Sequence, residues 1–218
     1  MIPSIAPGRS PQWRAPFAAA FALALVVSTA AAQQHGKQPK APSAPALSLT
    51  PLVGLPIPVL PATFLVADTG IVGIPVGRVA QLAWADSVLL DALQTRGPEA
   101  NWMGPAELRR AAKRAPGMMP DPDHMSQSAL RFESIKRVPD PILANLRMMI
   151  AMTNTRYVMV PASVRFRRMA DGVEATTVLV LADPRSGEIL WRSTPVAAAA
   201  TAGAALAGTI AWVLPDTR

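Results

Sequence analysis

From Tyr157 onward the apolar residues recur at every second position, whereas before it they recur at every third or fourth. Helix faces repeat at about 3.6 residues and strand faces at about 2, so one kind of element cannot satisfy both patterns. The chain therefore divides into a helical first part and a strand-rich last third. The fold class that holds both is α/β (α+β), a single mixed sheet with helices mainly on one face. Val158, Val160, Ala162, Val164 and Phe166 alternate with Tyr157, Met159, Ser163 and Arg165, which predicts a strand over Tyr157–Arg168. Pro161 within it predicts an edge position or a bulge, because proline has no N–H for the ladder. A turn at Ala170-Asp171-Gly172 leads to a strand over Val173–Ala182, and Asp183-Pro184-Arg185-Ser186-Gly187 connects that strand to Glu188–Ser193. These strands read as a three-stranded antiparallel meander. Val196–Val213 is apolar and rich in Ala, Gly and Thr, and reads as a terminal helix that closes the domain.

Ahead of the meander, Thr63–Ala67 is a short apolar run stopped by Asp68-Thr69-Gly70, the pattern of a buried strand and turn. Val79–Arg96 follows as a helix with Leu82, Ala85, Leu89 and Leu93 on one side, and Gly97 closes it as a positive-φ cap. A second helix begins at Pro105, carries Glu107 near its positive end, and stops at Pro116-Gly117. Met118–Val138 shows no clear period. A third helix opens at Asp140-Pro141, read as a cap followed by a first-turn proline, with Ile142, Leu143, Leu146, Met149 and Ile150 as its core stripe.

The amino terminus has another character. Arg9 and Arg14 precede an apolar run, Phe17–Val27, and the small residues Ala30, Ala31 and Ala32 follow. Basic, apolar and small-residue segments in that order form a secretory signal. Cleavage after Ala32 makes Gln33 the first mature residue, and cleavage after Ala30 is the second reading. The apolar run falls short of the ~20 residues of a spanning helix, yet with its flanking alanines an uncleaved membrane anchor is the alternative. Residues 1–32 are thus expected to be signal peptide, 33–61 a Pro-rich linker whose apolar second half (LTPLVGLPIPVLP) lies extended against the domain, and 62–218 a single domain. The chain has no cysteine, which excludes disulfides, a thiol nucleophile and a lipidated amino-terminal Cys.

The net charge is +7, and the excess concentrates between Asn101 and Ala170. Arg109, Arg110, Lys113 and Arg114 lie along one side of the second helix, with Arg165, Arg167 and Arg168 at a strand end. This cluster reads either as a solvated face or as a contact for an anionic surface. Without interleaved aromatic residues it does not fit nucleic acid. Asp121, Asp123 and His124 invite a metal reading, but no second histidine stands at ligand spacing. Gly70, Gly73 and Gly77 lack the Lys-Ser/Thr pair of a phosphate loop. His124 has no G-x-S-x-G partner, and Glu107, Glu133, Glu174 and Glu188 cannot be paired from sequence. No catalytic residue, cofactor or metal is expected.

The segments LPATFLVAD, WADSVLLDALQTRG, LANLRMMIAMTNT leading into RYVMVPASV, and LVLADPRSGEILWR resemble an envelope-protein superfamily. It includes the amino-terminal domain of TolB, the curli-secretion lipoprotein CsgG and the lipoprotein activators of penicillin-binding proteins. The likeness runs from about Leu60 to Val213 and includes a D-x-x-[ST]-G hairpin, matched by Asp183, Ser186 and Gly187. This chain departs from the pattern in having no lipidated Cys and in placing Pro161 where a Gly is usual. The resemblance implies a non-enzymatic envelope domain, periplasmic or secreted, that works through a protein or an anionic envelope partner. A hydrolase acting on an envelope substrate is the alternative.

Overall fold

The computed structural model describes residues 46–215, so the signal, its cleavage point at Ala32 and Gln33, and the first part of the linker lie outside the described residues. The elements are β1 (Pro56–Pro58), β2 (Leu65–Ala67), α1 (Arg78–Arg96), β3 (Asn101–Met103), α2 (Pro105–Arg114), α3 (Ile142–Thr153), β4 (Val158–Met169), β5 (Gly172–Asp183), β6 (Glu188–Ser193), β7 (Val196–Ala199) and α4 (Ala202–Val213). The result is the mixed α/β fold expected from the two periods. β2, β4, β5 and β6 lie side by side with β7 also on β5, while β1 and β3 form a small parallel pair.

Pro161 acts through a bulge. Pro161 stands opposite Leu179 and Ser163 opposite Val178, so Ala162 is an extra residue in β4. One extra residue reverses the side to which every later side chain points. Val158, Val160 and Ala162 pack with α3, whereas Val164 and Phe166 pack with α1 and α4 on the opposite face. The five alternating residues that read as one face thus serve two cores. The helices, expected mainly on one face, divide accordingly. Leu89 and Leu93 of α1 join Leu206 and Ile210 of α4 on one side, and Leu108 of α2 joins Leu146 and Met149 of α3 on the other.

The terminal helix begins later than the composition indicates. β6 and β7 continue one register along β5: Ser193 faces Leu179, Val196 faces Thr176, and between them the Thr177 N–H donates to the Pro195 carbonyl at 3.1 Å. Pro195 lacks a donor but keeps an acceptor, so the ladder passes through it. Thr201 then starts α4 by accepting the Ala204 N–H on its hydroxyl. No helix among the described residues is long and apolar enough to cross a membrane.

The apolar second half of the segment 33–61 packs against the domain. Leu47, Leu52, Ile57, Val59 and Leu60 are buried, and Leu47 N–H donates to Val213 O at 2.8 Å. Prolines exclude helix and central strand, but among the described residues β1 has only β3 as a ladder partner, in parallel register from Pro56–Asn101 to Pro58–Met103. Two helix ends also differ from the expectation. Gly97 has φ −134, and its role is space, because a Cβ there would sit 3.0 Å from Leu49 Cδ1. Pro141, not Asp140, occupies the cap position of α3, and no side chain caps that end.

Candidate functional site

α2 follows from Gly104-Pro105, where proline supplies the fixed φ of a first helical turn. Leu108 is fully buried, and Ala111, Ala112 and Ala115 pack beside it against the α3 core. That orientation leaves Glu107, Arg110, Lys113 and Arg114 exposed. Arg109 turns elsewhere. Its Nη2 lies 3.0 Å from Asp86 Oδ2 of α1 and 2.7 Å from Asp123 Oδ1, and its Nε donates to Asp123 Oδ2 at 2.8 Å. Among the described residues, the stripe of four cations read from spacing is therefore three without a partner and one structural one.

Asp86 is the residue that sequence reasoning missed. It is 6% exposed, and its Oδ1 accepts the Ala62 N–H at 2.7 Å. Burial pushes its carboxyl up to about 6, against the Ala62 and Arg109 hydrogen bonds, which favour the charged form. The hydrogen bond to Asp123 holds the Arg109 guanidinium more firmly protonated still. An acid directly after Ala85, on the apolar side of α1, was the available signal.

Arg110 and Arg114 line an open cleft of about 430 Å³ between α2 and the end of α3, together with Met103, Glu107, Ala111, Met152 and Thr153. Neither guanidinium makes a hydrogen bond or ion pair among the described residues, and Lys113 stands exposed outside the cleft. The Thr153 hydroxyl already donates to Met149 O at 2.8 Å, so it is not a free nucleophile. Two guanidiniums one turn apart beside a half-exposed thioether can hold a carboxylate or phosphate and an apolar neighbour.

Most other arginines are committed. Arg147 donates to Pro184 O and Arg185 O, and Arg137 donates to Ser186 O. Arg156 binds Asp183 Oδ2, and Arg192 bonds Phe132 O and Ile135 O. Arg131 reaches Ala162 O and stacks over the Phe64 ring. Arg167 pairs with Glu174, and Arg168 donates to Gly70 O. Arg165 is exposed. The basic excess thus works largely as staples on loop carbonyls.

The residues considered for metal chemistry do not converge. Asp123 is taken by Arg109, and Asp121 Oδ2 lies 2.8 Å from Nδ1 of a His124 that is 84% exposed. The Asp123 N–H, then the His124 ring, hold Asp121 below its ordinary value. Among the described residues no group of three or more His, Cys, Asp or Glu could hold a metal.

No protein-family model matches the chain, and no curated protein matches it. Solved structures do resemble it. The PelC dodecamer protein from Paraburkholderia phytofirmans is 17% identical over 79% of this chain and 92% of its own, with a TM-score of 0.38. The LpoB C-terminal domain from Escherichia coli is 14% identical over 66% of this chain and 83% of its own, also at 0.38. These likenesses are loose, and neither singles out TolB or CsgG.

Proposed function

We propose that this chain is an exported, non-catalytic accessory domain of the cell envelope that works by holding an anionic partner in the α2–α3 cleft. One observation carries the reading: Arg110 and Arg114 line that cleft without a partner among the described residues, while the arginines around them are spent on structure. An uncompensated pair of guanidiniums beside an apolar wall suits an acidic protein segment or a carboxylate- or phosphate-bearing envelope polymer. Export rests on the basic, apolar and small-residue order of residues 1–32. Cleavage puts the domain in the periplasm or outside the cell, and retention of Phe17–Val27 tethers it instead.

The test is cosedimentation of the full chain with purified cell-wall sacculi, wild type against Arg110→Gln/Arg114→Gln. A second arm uses an immobilised acidic polypeptide, which separates a protein source of the negative charge from a wall source. Reduced retention of the variant in either arm supports the cleft. Equal retention of both proteins in both arms removes it.

A further inference from the structure

We infer that the loop between β2 and α1 is a lipid-contacting tip that seats the domain on an anionic bilayer surface. In the sequence, residues 68–77 open on the Asp68-Thr69-Gly70 turn and carry glycines that do not make a phosphate loop. In the structure those glycines shape a presented apolar edge. Gly70, Gly73 and Gly77 have φ of 75, 89 and 92, a region in which an L side chain is strained. Ile71 and Ile74 turn inward and pack on the core. Val72, Val76 and Val79 turn outward and are 86%, 97% and 83% exposed. The valines are held out by the fold, because the partly buried Ile71 and Ile74 anchor the same segment.

The surroundings carry a small cationic excess, Arg78, Arg165, Arg167 and Arg168 against Asp68, Asp171 and Glu174. β2 runs parallel to β4 with Ala67 beside Phe166, so the loop leaves the sheet where β4 carries Arg167, Arg168 and the exposed Met169. Arg168 donates to Gly70 O at 2.7 Å and ties the loop to that strand end, while its backbone N–H is accepted by Asp68. Arg78, at the start of α1, donates to Thr63 O and Leu65 O. The carboxylates at this end are Asp68 and Glu174, both engaged, and Asp171 on the β4–β5 turn. Exposed valines need no complementary groove in a fluid acyl boundary, and the N–H groups that Arg78 and Arg168 keep beyond their backbone contacts can meet phosphate head groups.

Because the chain has no cysteine, one introduced thiol reports a single place. Full-length Val76→Cys and Gln94→Cys, the latter an exposed position near the far end of α1, are each labelled with an environment-sensitive fluorophore. They are then mixed with vesicles of phosphatidylglycerol and phosphatidylethanolamine, or of phosphatidylcholine alone. The label at Val76 should shift to the blue and be quenched by spin-labelled acyl chains on the anionic vesicles, and more weakly on the neutral ones. The label at Gln94 should do neither, whatever the amino-terminal apolar segment contributes. Adding Val72→Asp to Val76→Cys should weaken the lipid quenching about tenfold, the scale of one buried valine. A Val76 label that stays open to aqueous iodide on anionic vesicles would overturn the proposal, as would insertion that ignores Val72→Asp. Arg110 and Arg114 take no part, so this result is independent of the cleft.

Discussion

The Nη2 of Arg109 lies 3.0 Å from the Oδ2 of Asp86, and that pair fixes how α2 is turned against α1. Because the same guanidinium also holds Asp123, it joins α1, α2 and the loop after α2 at one point. Truncation to Arg109→Ala leaves Asp86 buried without its cation. Breaking a buried pair is severe, but Arg109 is one-third exposed, so about 2 kcal/mol is the expected loss. Arg110→Gln/Arg114→Gln should change stability by no more than about 0.5 kcal/mol. Urea unfolding of the two variants checks the contrast.

Asp86 also sets a pH dependence. Its folded pKa of about 6 lies above its ordinary 3.8, so the native state binds the proton more tightly than the unfolded chain. The contribution is complete below about pH 4 and is lost as pH rises through about 6. Asp86→Asn has no proton to lose. Between about pH 4 and 7 the wild type should fall relative to Asp86→Asn by on the order of 2–3 kcal/mol. Parallel stability curves for the two proteins would contradict this assignment.

The bulge in β4 determines which core each residue reaches. Deleting Ala162 restores an unbroken ladder and sends Val164 and Phe166 to the α3 side, away from α1 and α4. Phe166 would lose its contact with Trp84, whose ring centre lies 5.7 Å away. The deletion should abolish the cooperative thermal transition seen by near-ultraviolet circular dichroism. A wild-type melting curve would mean that the strand tolerates either register.

Asp183 anchors the β5–β6 hairpin. It is 4% exposed, and its carboxylate accepts the Arg185 N–H at 2.9 Å and Arg156 Nε at 3.1 Å. Asp183→Ala should destabilise by about 2 kcal/mol, the scale of hydrogen bonds to a charged group. Binding to sacculi should persist wherever the variant remains folded, because the motif is structural.

The sequence carries the element types clearly where periods are long, as in α1, α3 and the β4–β5–β6 meander. Pro161 announces a bulge, but periodicity alone does not reveal that the strand changes faces there, because Val158 to Phe166 alternate smoothly across it. Val196–Ala199 is too short and too alanine-rich to separate strand from helix, and only the open edge of β5 decides it. At the cleft, spacing brings Arg110, Lys113 and Arg114 to one side of α2. The diversion of Arg109 depends on Asp86, more than twenty positions earlier, and such a contact leaves no local pattern. The Val72 and Val76 loop was invisible for a related reason: exposure of a valine is a property of the packed chain.

On the proposed reading, the free charge of α2 serves binding and not folding. Sacculi are titrated with wild type, Arg110→Gln/Arg114→Gln and Arg110→Glu/Arg114→Glu at low and high salt, with unfolding curves measured on the same samples. Stability of the Gln variant should be unchanged, binding at low salt should weaken from wild type through Gln to Glu, and all three should converge at high salt as screening removes the attraction. Three superimposable binding curves at low salt, from proteins equally folded, would contradict that reading.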